Sequence, residues 1–480
     1  MDIPYIRRSP NSPYFIDETG ASWMPLGHNE ATEWPSLRGL YEDGKIGEAE
    51  SYIRMMVEHG VTCLRLMLED CQFDDHYFEN PVGVWNPRVI RFFDLLFELC
   101  RRYGLRLLLT PFDTYWMWIR FQHHPYFAQN GGPAPDREHM LTDPHVREAV
   151  KRRFDFAISR WGGDGTIFAW DLWNEIHPAY AEDRVEGVLD YINDISDFVR
   201  NAERYKYGKT HLQTCSVFGP ILERGYPKEQ GMLIKDPRLA EVIYDCPCFD
   251  FANTHTYEED TIDDPKDTVL PAIRMADITR VSILYIRDGR PYFDSEHGPI
   301  HLFIDKGTML PEEFDDEYYR HMSWAHFASG SAGGGMRWPN RVPHKLTPGM
   351  FRAQQAIRGF LPLIDWNSFA RRNITTDIRV SEDHLGLQSS VFVCGSGDAK
   401  QAFLWCVRAS VGKNGMIGKA VKKKSFFISV PGLERGDYIV KTWDTKLGRV
   451  RRTLEINSDS DFLRLQLFLE SDIAVAIRRK

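Results

Sequence analysis

The chain has 480 residues, of which 43% are hydrophobic and 26% are charged, a balance that excludes a disordered chain and indicates a globular protein with a sizeable core. The formal net charge of -9 gives no electrostatic reason to expect a nucleic acid or an anionic membrane as a partner. The length exceeds one ordinary domain but suits a barrel of typical size with a smaller second domain.

The amino-terminal residues, Met1 to Arg8, lack the basic start, the apolar run and the small-residue cleavage site of a secretory signal. No stretch of the sequence is long and apolar enough to span a bilayer. We therefore expect a cytoplasmic protein without a membrane partner, or a secreted one if an export signal has been trimmed away.

Eight cysteines occur in the chain, and none of them forms a C-x-x-C pair. Several lie within apolar runs, as Cys215 does in residues 212–217. Buried thiols behave as small apolar side chains. We therefore expect reduced, buried cysteines rather than zinc ligands or disulfides.

Residues 14–20 predict a short β-hairpin that leads into a series of β-strands. From about residue 21 to residue 361, short apolar runs alternate with longer helical patterns, which is typical of repeated βα units that close a parallel sheet. Eight such runs are present, at residues 23–27, 62–68, 105–112, 167–173, 212–217, 251–255, 291–295 and 334–338. Eight strands with intervening helices predict an α/β fold, the (β/α)8 or TIM barrel.

Three of the predicted helices carry clear start and stop signals. Each begins with a capping side chain followed by a proline and has a glycine near its end. These helices run from Asn86-Pro87 to Gly104, from Asp143-Pro144 to Gly162, and from Thr347-Pro348 to Gly359.

After Pro362 the pattern changes to short alternating strands separated by turn clusters such as residues 395–398, which is typical of an antiparallel β-domain. We therefore predict two domains. Residues 1–365 form the barrel with its amino-terminal hairpin, and residues 366–480 form a small β-sandwich. The simplest role for the sandwich is to stabilise the barrel by packing against it.

Acidic residues at the ends of two predicted barrel strands are the strongest functional signal. Active sites of such barrels lie at the carboxyl ends of the strands. Strand four leads into Glu175 and strand seven leads into Glu296, and these strands lie on opposed sides of the ring. Two carboxylates that flank one bond are what acetal hydrolysis requires. We therefore predict that Glu175 and Glu296 are the catalytic pair of a glycosidase.

The sequence Trp173-Asn174-Glu175, together with Glu296, resembles the motifs of clan A of the glycoside hydrolases, most closely its cellulase-like family five group. Supporting residues occur in the expected order along the chain. The resemblance implies that Arg65 contacts the nucleophile and that His255 and Tyr257 form a histidine-x-tyrosine pair. It also implies that Trp338 forms the floor of the first sugar subsite. It spans about residues 21–361 and leaves the C-terminal domain unexplained.

The family's retaining mechanism implies that Glu296 is the nucleophile and that Glu175 protonates the leaving oxygen and later deprotonates water. Asn174 then hydrogen-bonds the sugar 2-hydroxyl. Arg65 and the Tyr257 hydroxyl favour an ionised nucleophile, whereas a less polar surrounding raises the pKa of the acid/base. We expect the two carboxyl groups to lie ~5.5 Å apart, the retaining geometry.

Two aspartates precede the catalytic glutamates on the same strands. Strand alternation aims Asp171 and Asp294 into the barrel below the site, where we expect structural, hydrogen-bonded groups. Arg65 then has a second interpretation as a core ion-pair partner of one of these aspartates, although contact with the nucleophile is favoured.

The loop after strand three, residues 113–142, is long and rich in aromatic side chains, and we predict that Trp116 in this loop contacts sugar. His177 lies near a strand end and is predicted to hydrogen-bond a hydroxyl of the substrate. The alternative is a structural histidine whose hydrogen bonds lie within the protein, and this is the commoner case. The adjacent His123 and His124 do not complete a metal site by their spacing.

We therefore predict a retaining β-glycosidase that uses neither a cofactor nor a metal. Its partner is a β-linked carbohydrate, an oligosaccharide or a glycoside, and the gluco or manno configuration is implied by the resemblance alone. The sequence does not distinguish endo from exo action or fix the oligomeric state.

Three alternatives stay open. A transglycosidase uses the same residues, because a sugar hydroxyl can intercept the same intermediate. A non-catalytic sugar-binding barrel has no need of both glutamates. A metal-dependent barrel hydrolase requires a histidine-x-histidine pair at an early strand end, which the sequence lacks.

Overall fold

The structure is a computed structural model that describes residues 3–42, 44–218, 244–258, 267–299, 309–381, 390–409 and 424–480. Its first element is a small antiparallel sheet of strands β1 (Ile6–Arg8), β2 (Phe15–Asp17) and β3 (Ser22–Trp23). Phe15 is fully buried and packs edge-on against Phe168 and Phe251, at ring-centroid distances of 5.1 and 5.5 Å. The predicted hairpin is therefore confirmed, and it covers the amino-terminal end of the barrel.

The barrel is a single sheet of parallel strands. In chain order they are β4 (Gly27–Asn29), β5 (Cys63–Met67), β6 (Arg106–Thr110), β7 (Ile167–Asp171), β8 (Leu212–Thr214), β9 (Ser216–Phe218), β10 (Ala252–Glu258), β11 (Tyr292–Pro299) and β12 (Met336–Arg337). They pair in the order β8-β7-β6-β5-β4-β12-β11-β10-β9. The segments β8 and β9 lie on either side of Cys215 and together fill the fifth position, so the ring closes. The predicted (β/α)8 barrel is confirmed.

The first barrel strand begins later than the apolar pattern predicted. Trp23 instead pairs with Phe15 in the amino-terminal sheet, and Pro25 has no N–H to donate to a ladder. Barrel pairing starts at Gly27, opposite Cys63. A side chain at this position would collide with the Cys63 carbonyl oxygen, so glycine allows the two strands to approach.

Helices surround the barrel strands. In the described ranges they are α1 (Arg38–Tyr41), α2 (Ile46–Glu58), α3 (Pro87–Tyr103), α4 (Thr114–Ile119), α5 (Pro144–Trp161), α6 (Val185–Tyr207), α7 (Leu270–Tyr285), α8 (Glu312–Ala328) and α9 (Pro348–Phe360). Short 3-10 helices lie at Phe121–His123, Ala128–Asn130, Arg137–His139, Pro178–Ala181 and Leu361–Leu363.

The three helices with sequence signals form where they were predicted. Asn86, Asp143 and Thr347 each accept a hydrogen bond from a backbone N–H in the first turn of α3, α5 and α9. The segment 113–142, predicted as a loop, is partly helical because Asp113 caps α4 in the same way.

The C-terminal strands form two antiparallel sheets. They are β13 (Arg372–Asn373), β14 (Arg379–Ser381), β15 (Val391–Gly397), β16 (Gln401–Arg408), β17 (Lys424–Pro431), β18 (Gly436–Asp444), β19 (Arg449–Ser458), β20 (Phe462–Leu469) and β21 (Asp472–Arg479). One sheet has the order β13-β15-β16-β21-β18-β19 and the other has the order β14-β17-β20. Apolar side chains of both sheets share one core, which confirms the predicted sandwich. The boundary between residues 365 and 366 stays a prediction.

The sandwich packs against the barrel through an aromatic cluster. The Phe403 ring on β16 lies 4.8 Å from that of Phe327 on α8 and 4.6 Å from that of Phe360 on α9. Beside this cluster, the buried carboxylate of Asp472 accepts a hydrogen bond of 3.1 Å from Arg320 Nη2 on α8. The apolar core of the barrel therefore continues into the second domain.

The cysteine prediction is partly wrong. Cys246 and Cys248 form a disulfide across one intervening residue, with Cα atoms 5.4 Å apart. Pro247 lies in the turn between them, so the two cysteines form a C-x-C sequence, which differs from the C-x-x-C pattern. Six further cysteines are free and buried, as expected. No helix among the described residues has the length and apolar character to cross a bilayer.

Candidate active site

Glu296 lies on β11 at the mouth of the barrel and is 4% exposed. Arg65 on β5 donates a hydrogen bond from Nη1 to Glu296 Oε1, and the Tyr257 hydroxyl on β10 donates to Oε2 at 2.7 Å. Both carboxylate oxygens are thus hydrogen-bonded, one of them by a cation, which stabilises negative charge on this group. These are the contacts that the sequence predicted for Arg65 and Tyr257.

Arg65 is fully buried and joins several strands through its guanidinium group. Besides Glu296, Nη1 donates to Asn29 Oδ1 at 3.1 Å. Nη2 donates to Asp171 Oδ2 at 2.9 Å and to Asn174 Oδ1 at 2.6 Å. The two interpretations of this residue are therefore both correct, since it contacts Glu296 and a core aspartate together.

Glu175 follows β7 and has a φ of 48°, a left-handed conformation that non-glycine residues seldom adopt. Its backbone N–H donates to Ser216 Oγ at 2.9 Å, which holds this turn in place. Burial raises the pKa of the Glu175 carboxyl to about 7, against an opposing effect of the Arg65 charge. The carboxyl group is therefore largely protonated up to neutral pH, as a general acid requires.

His255 on β10 lies between the two glutamates. Its Nδ1 is 2.9 Å from Glu175 Oε1 and 3.5 Å from Glu296 Oε2, and its Nε2 is 2.9 Å from Ser295 Oγ. Burial lowers the pKa of His255 to about 4, so the ring is neutral at pH 7. A neutral ring has one donor and one acceptor nitrogen, and the Ser295 hydroxyl can serve either.

The three groups converge on one point at the barrel mouth. One carboxylate oxygen from each glutamate and a ring nitrogen of His255 all lie within 4.8 Å of one another. Glycosidases that use direct carboxylate attack have carboxyl groups about 5–5.5 Å apart, whereas those that place a water between them need about 6.5–9.5 Å. The closest oxygens of the two glutamates lie within 4.8 Å, and the separation of ~5.5 Å between the carboxyl groups stays a prediction.

A narrow cleft adjoins this carboxylate pair, and its cavity volume of about 20 Å³ leaves room for one water or one hydroxyl-sized group. Trp34, Trp116 and Trp338 lie along it, and the Trp34 and Trp338 rings pack edge-on at 5.0 Å. Asn29 and Arg65 belong both to the cleft and to the network around Glu296. The predicted sugar-contacting residues Trp116 and Trp338 therefore lie beside the site, where aromatic faces can stack on sugar rings.

His177 has a structural contact, the commoner of the two roles considered for it. Its Nδ1 accepts a hydrogen bond of 3.0 Å from the backbone N–H of Ala179 and caps a 3-10 helix. Burial lowers the pKa of His177 to about 4. No hydrogen bond joins it to the glutamates within the described part of the chain, so its role in substrate binding stays a prediction.

Several side chains of the site were missed by sequence reasoning. Asn29, at the end of β4, accepts from Arg65 and donates from Nδ2 to the Ser295 carbonyl at 2.9 Å. Thr114 donates its hydroxyl to the Asn174 carbonyl at 2.7 Å. The position of Asn29 at a barrel strand end was an available signal, whereas nothing in the sequence places Thr114 beside strand four.

Two groups in the described ranges have metal-ligating atoms close together. One is Glu69, Cys71 and His124, and the other is Glu175, His255 and Glu296. Arg153 already pairs with Glu69 at 3.1 Å, and Arg65 already pairs with Glu296. A metal ion in either group would lie next to an existing cation, so the residues present do not favour a metal.

The fold and the facing glutamates together define the class of protein, a (β/α)8 barrel with a catalytic-type carboxylate pair at its mouth. Among curated proteins, the mannan endo-1,4-beta-mannosidase 1 of Oryza sativa subsp. japonica is 23% identical over 266 residues, which are 52% of this chain and 56% of that protein. The enzyme of the same name from Solanum lycopersicum is 19% identical over 204 residues, 40% of this chain and 50% of that protein. The chain thus spans about half the length of the curated relatives it matches. No family model matches the chain.

Solved structures show the same fold. One described as a glycoside hydrolase aligns with a TM-score of 0.60 at 12% identity, over 99% of this chain and 97% of the other. A glycoside hydrolase family 5 mannosidase from Rhizomucor miehei aligns with a TM-score of 0.51 at 16% identity, over 75% of this chain and 98% of the other. The predicted resemblance to the cellulase-like glycoside hydrolases is confirmed, and in the first of these structures the fold extends over both domains.

Proposed function

We propose that this protein is a retaining β-glycosidase that hydrolyses β-linked manno- or gluco-configured glycosides or oligosaccharides. The observation that carries the proposal is the convergence of Glu175, His255 and Glu296, with functional atoms within 4.8 Å of one another. The two carboxyl groups have opposite environments. Arg65 and Tyr257 stabilise charge on Glu296, whereas burial raises the pKa of Glu175 to about 7.

In the first step, Glu296 attacks the anomeric carbon and forms a glycosyl ester while the bond to the leaving oxygen breaks. Glu175 transfers its proton to that oxygen, so the leaving group departs as a neutral alcohol. Asn174 hydrogen-bonds the sugar beside the reacting carbon, and its bonds with Arg65 and Thr114 support this role because they fix its amide group. Glu175 ends this step as a carboxylate.

In the second step, a water molecule attacks the anomeric carbon from the side that the leaving group has vacated. The Glu175 carboxylate accepts a proton from this water, and the ester bond to Glu296 breaks. While the ester exists, Glu296 carries no charge and Arg65 still acts on Glu175, which favours the carboxylate form that the base needs. Two inversions at one carbon retain its configuration.

The manno configuration is the first to test. The two curated relatives are named mannan endo-1,4-beta-mannosidases, and the Rhizomucor miehei structure is titled a mannosidase. The gluco sugar differs from the manno sugar only in the configuration of the 2-hydroxyl, so the enzyme must distinguish the two sugars by its contact with this one hydroxyl. Activity on both epimers should therefore be measured side by side.

The test is hydrolysis of paired nitrophenyl β-mannoside and β-glucoside substrates by the wild-type chain and by Glu296→Ala. A surface variant, Glu98→Gln on α3, is the matched control, because its side chain is 62% exposed. We expect activity in the wild type and the control only, with the β-anomer as the first product in a proton NMR time course.

A 2-deoxy-2-fluoro glycoside should label Glu296, which peptide mass spectrometry locates. First release of the α-anomer would contradict the retaining mechanism, and equal hydrolysis by Glu296→Ala would contradict the assignment of the nucleophile. Added acceptor alcohols measure transglycosylation in the same assay.

A further inference from the structure

The cleft beside Glu296 is lined by both carboxylates and tryptophans. Glu30, Glu69, Asp70 and Asp113 supply the carboxylates, from segments that directly follow β4, β5 and β6. All four are at least 96% buried. The lining of this cleft is therefore built from the carboxyl ends of three consecutive barrel strands.

The cleft lies next to the proposed reaction centre. Asn29 and Arg65 line it and belong to the hydrogen-bond network that holds Glu296. On its other side, Asp113 directly precedes Thr114, whose hydroxyl contacts Asn174. The carboxylates of the cleft are therefore within reach of a sugar that is bound at Glu296.

Two of the carboxylates present an oxygen that has no hydrogen-bond partner among the described residues. Asp70 Oδ1 accepts from the backbone N–H of Gln72 at 3.0 Å, whereas Asp70 Oδ2 is buried and unpartnered. Glu30 Oε1 contacts His28 and Tyr52, whereas Glu30 Oε2 is buried and unpartnered. A buried acceptor without a donor costs free energy, so these oxygens point to a ligand that supplies donors.

The neighbouring Glu69 shows the opposite situation. Arg153 Nη1 lies 3.1 Å from Glu69 Oε2, and His124 Nε2 lies 3.3 Å from Oε1. The charge on this group is therefore satisfied within the protein. Among the carboxylates that line the cleft, only Asp70 and Glu30 have a buried oxygen without a hydrogen-bond donor in the described part of the chain.

Carboxylate oxygens accept hydrogen bonds and cannot donate them when ionised. Burial raises the pKa of the Asp70 carboxyl, and a ligand hydroxyl that donates to Oδ2 favours its ionised form. A ligand for this cleft must offer hydroxyl donors at its edge and a C–H face to the tryptophans, which describes a sugar ring. A sugar inside a chain has one of its hydroxyls replaced by a glycosidic oxygen, which has no proton to donate. A sugar at the non-reducing end keeps all of its hydroxyls.

We propose that Asp70 and Glu30 bind the free hydroxyls of a terminal, non-reducing sugar, so that the enzyme removes single units from chain ends. This inference rests on the proposed glycosidase function and adds an exo mode of action to it. A site built to bind a hydroxyl rejects a ligand that lacks it, because the buried acceptor is then left unpaired.

The test measures binding without turnover. In a Glu296→Gln background, calorimetry compares β-1,4-mannobiose and cellobiose with the same disaccharides methylated at the non-reducing 4-hydroxyl. We expect the methylated forms to bind at least about tenfold more weakly, a factor that corresponds to one lost hydrogen bond to a charged group.

Asp70→Asn is the decisive variant in the same background. Asparagine keeps the oxygen that accepts from Gln72 and replaces only the unpartnered oxygen by an NH2 group, so the turn is preserved. We expect it to weaken binding of the free disaccharide and to remove most of the discrimination against the methylated one. Asp277→Asn, on the surface of α7 with a side chain that is 56% exposed, is the matched control and should bind as its parent does.

The outcomes separate this inference from the proposed function. Equal affinity for free and methylated disaccharides, or full discrimination in a folded Asp70→Asn variant, overturns the exo mode and leaves the glycosidase proposal intact. Internal cleavage of long chains by the wild type, seen as mid-length products, overturns it too. Failure of both free disaccharides to bind overturns the proposed sugar specificity and the inference with it.

Discussion

Arg65 shows how one side chain links the structure of the barrel to its chemistry. A guanidinium group has five donors in a fixed plane, and here two of its nitrogens serve four acceptors on three segments of the chain. A lysine has a single nitrogen and cannot span these positions. The sequence pointed to Arg65 through the family resemblance, but its bond to Asn29 required the structure.

Replacement of Arg65 by methionine should destabilise the protein strongly, because it leaves Glu296 and Asp171 buried without a cation. We expect the free energy of unfolding in urea at pH 7 to fall by about 3–5 kcal/mol. Arg160→Met removes an exposed ion pair with Asp94 and should cost about 1 kcal/mol or less. Equal losses in the two variants would show that Arg65 is not part of a buried ion-pair network.

The pKa of about 7 for Glu175 determines the pH dependence of activity. The acid is protonated below this pKa and loses its proton above it, so kcat/KM for a glycoside with a poor leaving group should fall as the pH rises through about 7. Glu175→Gln should lower this activity by about 10²–10⁴-fold and should abolish the alkaline limb. The measurement is a pH profile for both forms, and an unchanged limb in the variant would assign it to another group.

The Tyr257 hydroxyl can be removed without changing the ring. Tyr257→Phe deletes a 2.7 Å hydrogen bond to Glu296, and hydrogen bonds to charged groups contribute about 1.5–3 kcal/mol. We expect kcat/KM to fall by about 10–100-fold. The exposed Tyr205→Phe is the control, and a loss no greater than in this control would exclude a role for the hydroxyl.

At the scale of elements, the divided fifth strand positions the acid/base. Cys215 separates β8 from β9, and the backbone N–H of Ser216 just after this break donates to Asp171 Oδ1 at 2.9 Å. The Ser216 hydroxyl accepts from the Glu175 N–H. An interruption between two strands thereby supports the strained turn that carries Glu175.

Ser216→Ala tests this support. The variant keeps the bond from its backbone to Asp171 but leaves the Glu175 N–H without an acceptor, which should cost about 1–3 kcal/mol of folding free energy. We expect a matching fall in kcat, since the acid is no longer fixed in its turn. Ser159→Ala on the exposed face of α5 is the control, and equal behaviour in urea unfolding and kinetics would contradict the role of Ser216.

Many of the helices and strands were predictable from the sequence. Capping residues such as Asn86 and Asp143 act locally, so their patterns located α3 and α5. The start of the first barrel strand was predicted wrongly, because the apolar side chain of Trp23 is compatible with either sheet. Only tertiary pairing decides that Trp23 joins the amino-terminal sheet. The break at Cys215 was not predictable, because it lies inside a continuous apolar run. The cleft beside Glu296 was not predictable either, because its lining comes from three loops that meet only in the folded chain.

At the scale of the whole molecule, a buried ion pair joins the two domains. Asp472 on β21 accepts from Arg320 on α8, lies beside His321, and also accepts a hydrogen bond from Thr445. These partners hold the pKa of the Asp472 carboxyl well below its ordinary value, although burial alone would raise it. The sandwich is therefore tied to the barrel by charge as well as by aromatic packing.

Asp472→Ala should destabilise the protein by about 3–5 kcal/mol at pH 7, because Arg320 stays buried without its carboxylate. A carboxyl with a depressed pKa contributes stability above its unfolded pKa of about 3.9 and loses that contribution as the pH falls further. The variant should therefore lose less stability than the wild type between pH 5 and 3. Denaturant unfolding at several pH values checks this, and parallel curves would contradict it.

The amino-terminal sheet has a consequence for how the chain is made. Phe15 leaves the ribosome well before its ring partners Phe168 and Phe251, which are synthesised more than 150 residues later. Contacts between such distant parts of a chain form slowly, because a long loop must close first. The Phe15 segment is therefore exposed until most of the barrel has been synthesised, and it can cover the amino-terminal end of the barrel only after Phe251, directly before β10, is available.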